Sequence, residues 1–89
     1  MKVRNMTSTR GNKIANQFII IDDYNNITFQ SYDSAIALKI DKGITYLDKY
    51  YWDYSVTTGK YRNQFLGEGI ADTRKKIKSG EYILTDLNS

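Results

Sequence analysis

The chain has 89 residues, a net charge of +3, 40% hydrophobic and 26% charged residues, and neither cysteine nor histidine. That length suits one domain, 1–89, and the composition suits a folded chain rather than a disordered one. With no Cys or His there is no disulfide, no thiolate nucleophile, and neither the commonest general base nor the commonest zinc ligand.

Met1 to Asn12 is polar with little apolar periodicity and is expected to form an extended basic N-terminal arm. Ala15 to Ile21 is β-branched and apolar, which predicts a buried strand. Asp22-Asp23-Tyr24-Asn25-Asn26 is a turn built from residues that form Asx-turns and tolerate left-handed backbone. Ile27 to Ser31 alternates in character, so the two strands should form a hairpin. In Ser34 to Ile40, Ile36, Leu38 and Ile40 alternate with Ala35, Ala37 and Lys39, the period of a half-buried strand. Asp41-Lys42-Gly43 is a tight turn, and Ile44 to Leu47 a further strand.

The pattern then becomes helical. Thr57 or Thr58 is expected to cap a helix that turns Tyr61 and Phe65 inward and ends at Gly67. A second helix is expected from about Gly69 to Ser79, with Arg74, Lys75, Lys76 and Lys78 on its surface and C-terminal end. Gly80 ends it, and Tyr82 to Thr85 reads as a last strand. The predicted fold is α+β: an antiparallel meander of about four strands plus a C-terminal strand, packed with two short helices.

Charge is unevenly placed. Residues 1–21 carry Lys2, Arg4, Arg10 and Lys13 and no acid, residues 22–53 hold six Asp against three Lys, and residues 54–89 are again basic. Basic ends favour phosphates or an acidic protein surface, although solubility alone explains so small a net charge equally well. The start lacks the apolar run of a secretory signal, and Phe18 to Ile21 is far too short to cross a bilayer. A cytoplasmic protein without membrane contact is expected.

The segment Lys49 to Arg62 holds the only Trp and four of the eight Tyr, interleaved with Lys and Arg. Aromatic faces stack on bases while nearby cations hold phosphates. Tyr, Trp and Arg are equally the residues of protein-interface hot spots. Some of these aromatics must serve the core: Trp52, Tyr54 and Phe65 are assigned there, whereas Tyr50 and Tyr51, as chain neighbours, cannot both face inward. Tyr50, Tyr51, Tyr61 and Arg62 are the candidate partner-binding residues. Ser55, Thr57, Thr58, Lys60 and Arg62 lie where a helix start could hold a phosphate, but the glycines of a true P-loop are missing and simple capping is favoured. Arg74, Lys75, Lys76, Arg4, Arg10 and Lys13 complete the cationic set. Among the acids, Asp22 and Asp23 are adjacent and would face opposite ways on a strand, and Asp33, Asp48 and Asp53 are scattered. No catalytic, metal or cofactor site is expected.

Tyr51-Trp52-Asp53-Tyr54-Ser55, with Thr57-Thr58 and Lys60-Tyr61-Arg62-Asn63-Gln64-Phe65-Leu66-Gly67, resembles a family of short uncharacterised proteins of bacteriophages and mobile elements, catalogued as a domain of unknown function. Ala15 to Ile20, Phe29 to Tyr32, Lys78 to Tyr82 and Leu84 to Asn88 extend the resemblance over nearly the whole chain. It implies a small accessory protein. The leading expectation is a non-enzymatic inhibitor of a host defence or nucleic-acid-processing complex, anti-CRISPR-like but too basic to mimic DNA. The alternative is a nucleic-acid-binding accessory protein that contacts DNA or RNA directly. The third is a homo-oligomeric assembly component, a homodimer included, joined at an exposed strand edge.

Overall fold

The computed structural model describes residues 1–89. Its elements are β1 (Lys2–Thr7), β2 (Lys13–Ile21), β3 (Ile27–Ser31), β4 (Ser34–Lys39), β5 (Thr45–Asp48), α1 (Val56–Leu66), α2 (Ile70–Ser79) and β6 (Tyr82–Thr85). All six strands form one sheet in the order β1-β2-β3-β4-β5-β6. The first five pair antiparallel through short turns, while β6 lies parallel to β5 because α1 and α2 occupy the crossover between them. The α+β fold is the one the sequence predicts, with one strand more.

That extra strand is β1. Residues 2–7 are extended but not free: they pair with β2 from Lys2↔Ile21 to Thr7↔Lys13 and form an edge of the sheet. The turn after β2 is built as its residues suggest. Asp22 Oδ1 accepts from the backbone N–H groups of Tyr24 (2.8 Å) and Asn26 (3.0 Å), and Asn25 takes a φ of 64°.

Both helices lie against one face of the sheet. Phe29 of β3 meets Phe65 of α1 with ring centroids 5.8 Å apart. Ser31 Oγ and Thr58 Oγ1 share a buried hydrogen bond of 3.1 Å, and Lys39 Nζ donates to the Phe65 carbonyl at 2.7 Å. Between these layers sit Met6, Ile19, Phe29, Ile36, Ala37, Leu47 and Tyr82, with Trp52, Tyr61, Phe65 and Ile77 packed around them. The strict alternation expected in β4 fails at one place. The β3–β4 register shifts between Phe29↔Ala37 and Gln30↔Ala35, so Ile36 is the extra residue of a bulge. Ile36 and Ala37 are therefore both buried, and Leu38 turns to the other face.

Glu68 joins the helices to the sheet. Its Oε1 accepts from Lys76 Nζ (2.6 Å) and the Tyr82 hydroxyl (2.9 Å), and its Oε2 from Thr73 Oγ1 (2.7 Å). Burial alone would raise the Glu68 pKa, but these hydrogen bonds outweigh it and hold the carboxyl below its usual value. The same contacts raise Lys76, led by its bond to Glu68, and Tyr82, led by burial. No helix is long and apolar enough to cross a membrane.

Candidate binding site

The aromatic segment forms the connection from β5 to α1. Asp48, fully buried at the end of β5, anchors it: Oδ2 accepts from the N–H groups of Tyr50 (3.0 Å) and Tyr51 (2.8 Å), and Oδ1 from Leu87 N–H (2.8 Å). The chain turns sharply there, with Trp52 N–H donating to the Asp48 carbonyl. Trp52 packs on the core, as expected, and Tyr54 does not. Tyr50 is 63% exposed, Tyr51 38% and Tyr54 50%, with Tyr51 and Tyr54 in an edge-to-face pair. The assignment of Tyr54 to the core is thus corrected: Asp53 between it and Trp52 turns toward Arg62, and the chain swings outward.

Arg62 is the residue the sequence reading places least well. It is 2% exposed. One Nη1 donates to the Trp52 carbonyl (2.8 Å) and to Asp53 Oδ1 (2.9 Å), Nη2 donates to Asn63 Oδ1 (3.0 Å), and the guanidinium lies 5.3 Å from the Trp52 ring centroid. Gly59 lies directly against it, since a Cβ there would come 3.5 Å from Nη2, an ordinary van der Waals contact. Arg62 is therefore the post on which the tyrosine-bearing loop hangs, with both Nη groups engaged within the chain and Nε buried without a partner.

Ser55 caps α1, its Oγ accepting from Thr58 N–H at 3.1 Å. The cap lies two or three residues before the expected Thr57 or Thr58. Thr58 is buried against Ser31, and Thr57 is exposed. Tyr61 is half-buried against the core, with Lys60 Nζ 5.4 Å from its ring centroid.

A groove of about 720 Å³ opens between this loop, α1 and α2. Ser55, Lys60, Arg62 and Arg74 of the candidate residues line it, together with Asp53, Tyr54 and Asn63. Arg74 Nη2 stands 3.6 Å from Asp53 Oδ2 and stays largely exposed. Lys75 is exposed on α2, whereas Lys76 is committed to Glu68 and lies 3.8 Å from Glu81. Arg4, Arg10 and Lys13 lie on β1, β2 and the turn between them, outside the groove; Arg4 lines a separate cleft with Met6, Gln64 and Phe65.

The helical side and its loop, residues 49–79, carry seven cations and three acids. Asp53 and Glu68 are paired with Arg62 and Lys76, which leaves Lys49, Lys60, Arg74, Lys75 and Lys78 around Asp72. Nowhere do three or more acids come together in a group that could hold a metal ion. The site offers stacking surfaces and cations.

A model of a family of unknown function, DUF8033, matches residues 1–83. The chain belongs to DUF8033. The match takes in every element except the end of β6, so the groove and tyrosine loop are part of the DUF8033 domain. No curated protein and no solved structure matches this DUF8033 chain.

Proposed function

We propose that this protein is a non-enzymatic binding protein of phage or mobile-element type that takes single-stranded nucleic acid on its helical side. One observation carries this reading: Tyr50, Tyr51 and Tyr54 stand exposed on the loop that borders a groove whose accessible cations are Lys60 and Arg74. Exposed aromatics provide sequence-tolerant stacking, and the flanking cations, with Lys49 and Lys75, follow the phosphates. Charge supports it too, since the surplus of cations gathers on this side of the molecule.

Fluorescence anisotropy of labelled single- and double-stranded DNA and RNA tests the proposal. With about four phosphates neutralised, binding to a single strand weakens about fiftyfold for a fourfold rise in salt. Lys60→Ala combined with Arg74→Ala should abolish most of it, and Tyr51→Ala should weaken single strands more than duplexes. No binding at low salt, or binding indifferent to salt, removes the proposal.

A second reading, inhibition of a host defence or nucleic-acid-processing complex through a protein contact, draws on a different observation. Val56 is 92% exposed beside Tyr54, which gives the loop an apolar and aromatic tip of the hot-spot kind. Failure to retain any host protein, with no effect on phage survival in defended cells, disposes of it.

A further inference from the structure

The face of the sheet opposite the helices is uncovered, and the strand register shows its composition. Val3, Ile20, Thr28, Leu38, Tyr46 and Ile83 are successive cross-strand partners, one from each of the six strands, in a single uninterrupted row. These residues point away from the helices, because their chain neighbours Phe29, Lys39 and Tyr82 are the ones that contact α1 or the segment joining it to α2. The adjoining row on the same face includes Phe18, Gln30 and Ala35. The first row contains no charged residue, and the adjoining one reaches Asp48 of β5, which is fully buried and accepts from the N–H groups of Tyr50, Tyr51 and Leu87. The β4 bulge is what completes the first row, since without it Leu38 would point to the helices and Lys39 to this face.

We propose that this face is the interface of a homodimer in which two sheets stack, giving helix, sheet, sheet and helix layers. Two features favour a second copy as the occupant. A two-fold stack sets the six-strand row against itself, and like charges there would repel; this row carries none. Six strands at ~4.8 Å spacing make the row ~24 Å wide, and strands of about six residues make the face ~20 Å deep. That outline encloses ~480 Å² in projection, the size of a small interface rather than the ~800 Å² per partner of a standard one. The rim is polar at one end: by the alternation along β2, Asp22 follows Ile20 at the border of the apolar centre. The dimer leaves both tyrosine loops and both basic helical sides on the outside, and it stands whatever ligand those sides take.

Sedimentation equilibrium of the whole chain tests this. The expected species has twice the 10.3 kDa mass of the chain at micromolar concentration. Thr28→Asp puts a carboxylate at the middle of the face at little cost to the monomer, whose Thr28 side chain is only half-buried. It should raise the dimer dissociation constant about a hundredfold or more, with circular dichroism unchanged. Leu38→Lys should do the same with the opposite charge, and Lys75→Glu, on the exposed side of α2, should do nothing. Because the chain has no cysteine, Thr28→Cys labelled with a spin probe gives a second reading: a pair of labels within about 20 Å, at the ~10 Å spacing of stacked sheets. A wild-type chain that sediments as a monomer at high micromolar concentration overturns the proposal. A dimer that survives both Thr28→Asp and Leu38→Lys with unchanged affinity overturns it as well.

Discussion

Arg62 holds Asp53 at 2.9 Å from beneath, and through it the loop that presents Tyr50, Tyr51 and Tyr54. The pair is unequal: the arginine is buried, while about a third of the aspartate remains exposed. Removing the arginine leaves the Trp52 carbonyl and Asp53 without their donor and a cavity beside the Trp52 ring. Arg62→Ala should cost about 3 kcal/mol, read as a lowered urea midpoint. Arg62→Lys should recover little of it, because an ammonium cannot span Trp52, Asp53 and Asn63 as the planar fork does. A stability loss under about 1 kcal/mol for either variant contradicts the anchoring role.

The helix cap separates two residues the sequence makes look equivalent. Ser55 Oγ accepts from Thr58 N–H, and Thr57 merely faces solvent. Ser55→Ala should therefore lower stability by about 1 kcal/mol and Thr57→Ala by under about 0.5 kcal/mol. Thr58→Val should exceed both, because it leaves Ser31 Oγ buried without its partner. Thermal melts of the three variants give the order.

Much of this architecture is legible in the residues, and the departures share a cause. The Asp22–Asn26 turn, the strands Ile27–Ser31 and Tyr82–Thr85, and the glycines that follow both helices are local features, set by turn chemistry and short-range periodicity. What the sequence conceals depends on tertiary partners. The β1 strand has only Val3 and Met6 as apolar signals, because an edge strand needs little burial. The β4 bulge leaves no trace in an alternation that looks regular. Arg62 reads as a surface cation until Trp52 and Asp53 are seen to close over it, and its place within the tyrosine-rich segment was the one available sign. Tyr54 fails for the converse reason, since a large aromatic is assigned inward unless the chain's path is known. The groove is thus half legible: its residue types are apparent, and the distinction between presented and structural cations is not.

Glu68 makes stability depend on pH in a set direction. Its folded pKa lies below the unfolded value near 4.5, so its contribution is complete above that pH and is lost as pH falls through the folded value. Tyr82 and Lys76 are raised, so their contributions are complete below about pH 10 and disappear at higher pH. Lys39, lowered by burial, opposes them at the alkaline end. Chemical denaturation from pH 3 to 8 should show stability rising through pH 3–5 to a plateau. Glu68→Gln should flatten that rise and lower the plateau by about 1–2 kcal/mol. A variant with the wild-type slope would show that other carboxylates set the acid limb.

Gln17 is the one uncharged side chain in the interior whose polar atoms both lack a protein partner. It is 1% exposed, on the helix side of β2 opposite Ser31, and neither its Oε1 nor its Nε2 meets a hydrogen-bonding group of the chain. Such a group forfeits its hydration for nothing in return, at about 1–3 kcal/mol. Methionine fills nearly the same volume without polar atoms and adapts to irregular space. Gln17→Met should therefore stabilise the fold by about 1 kcal/mol, raising the melting temperature by about 4–8 °C for a domain of this size. Gln17→Ala should instead destabilise it, because the cavity then outweighs the relief. If Gln17→Met also destabilises by 1 kcal/mol or more, the amide has partners in solution and belongs to a buried polar network linking β2 to Ser31 and Thr58.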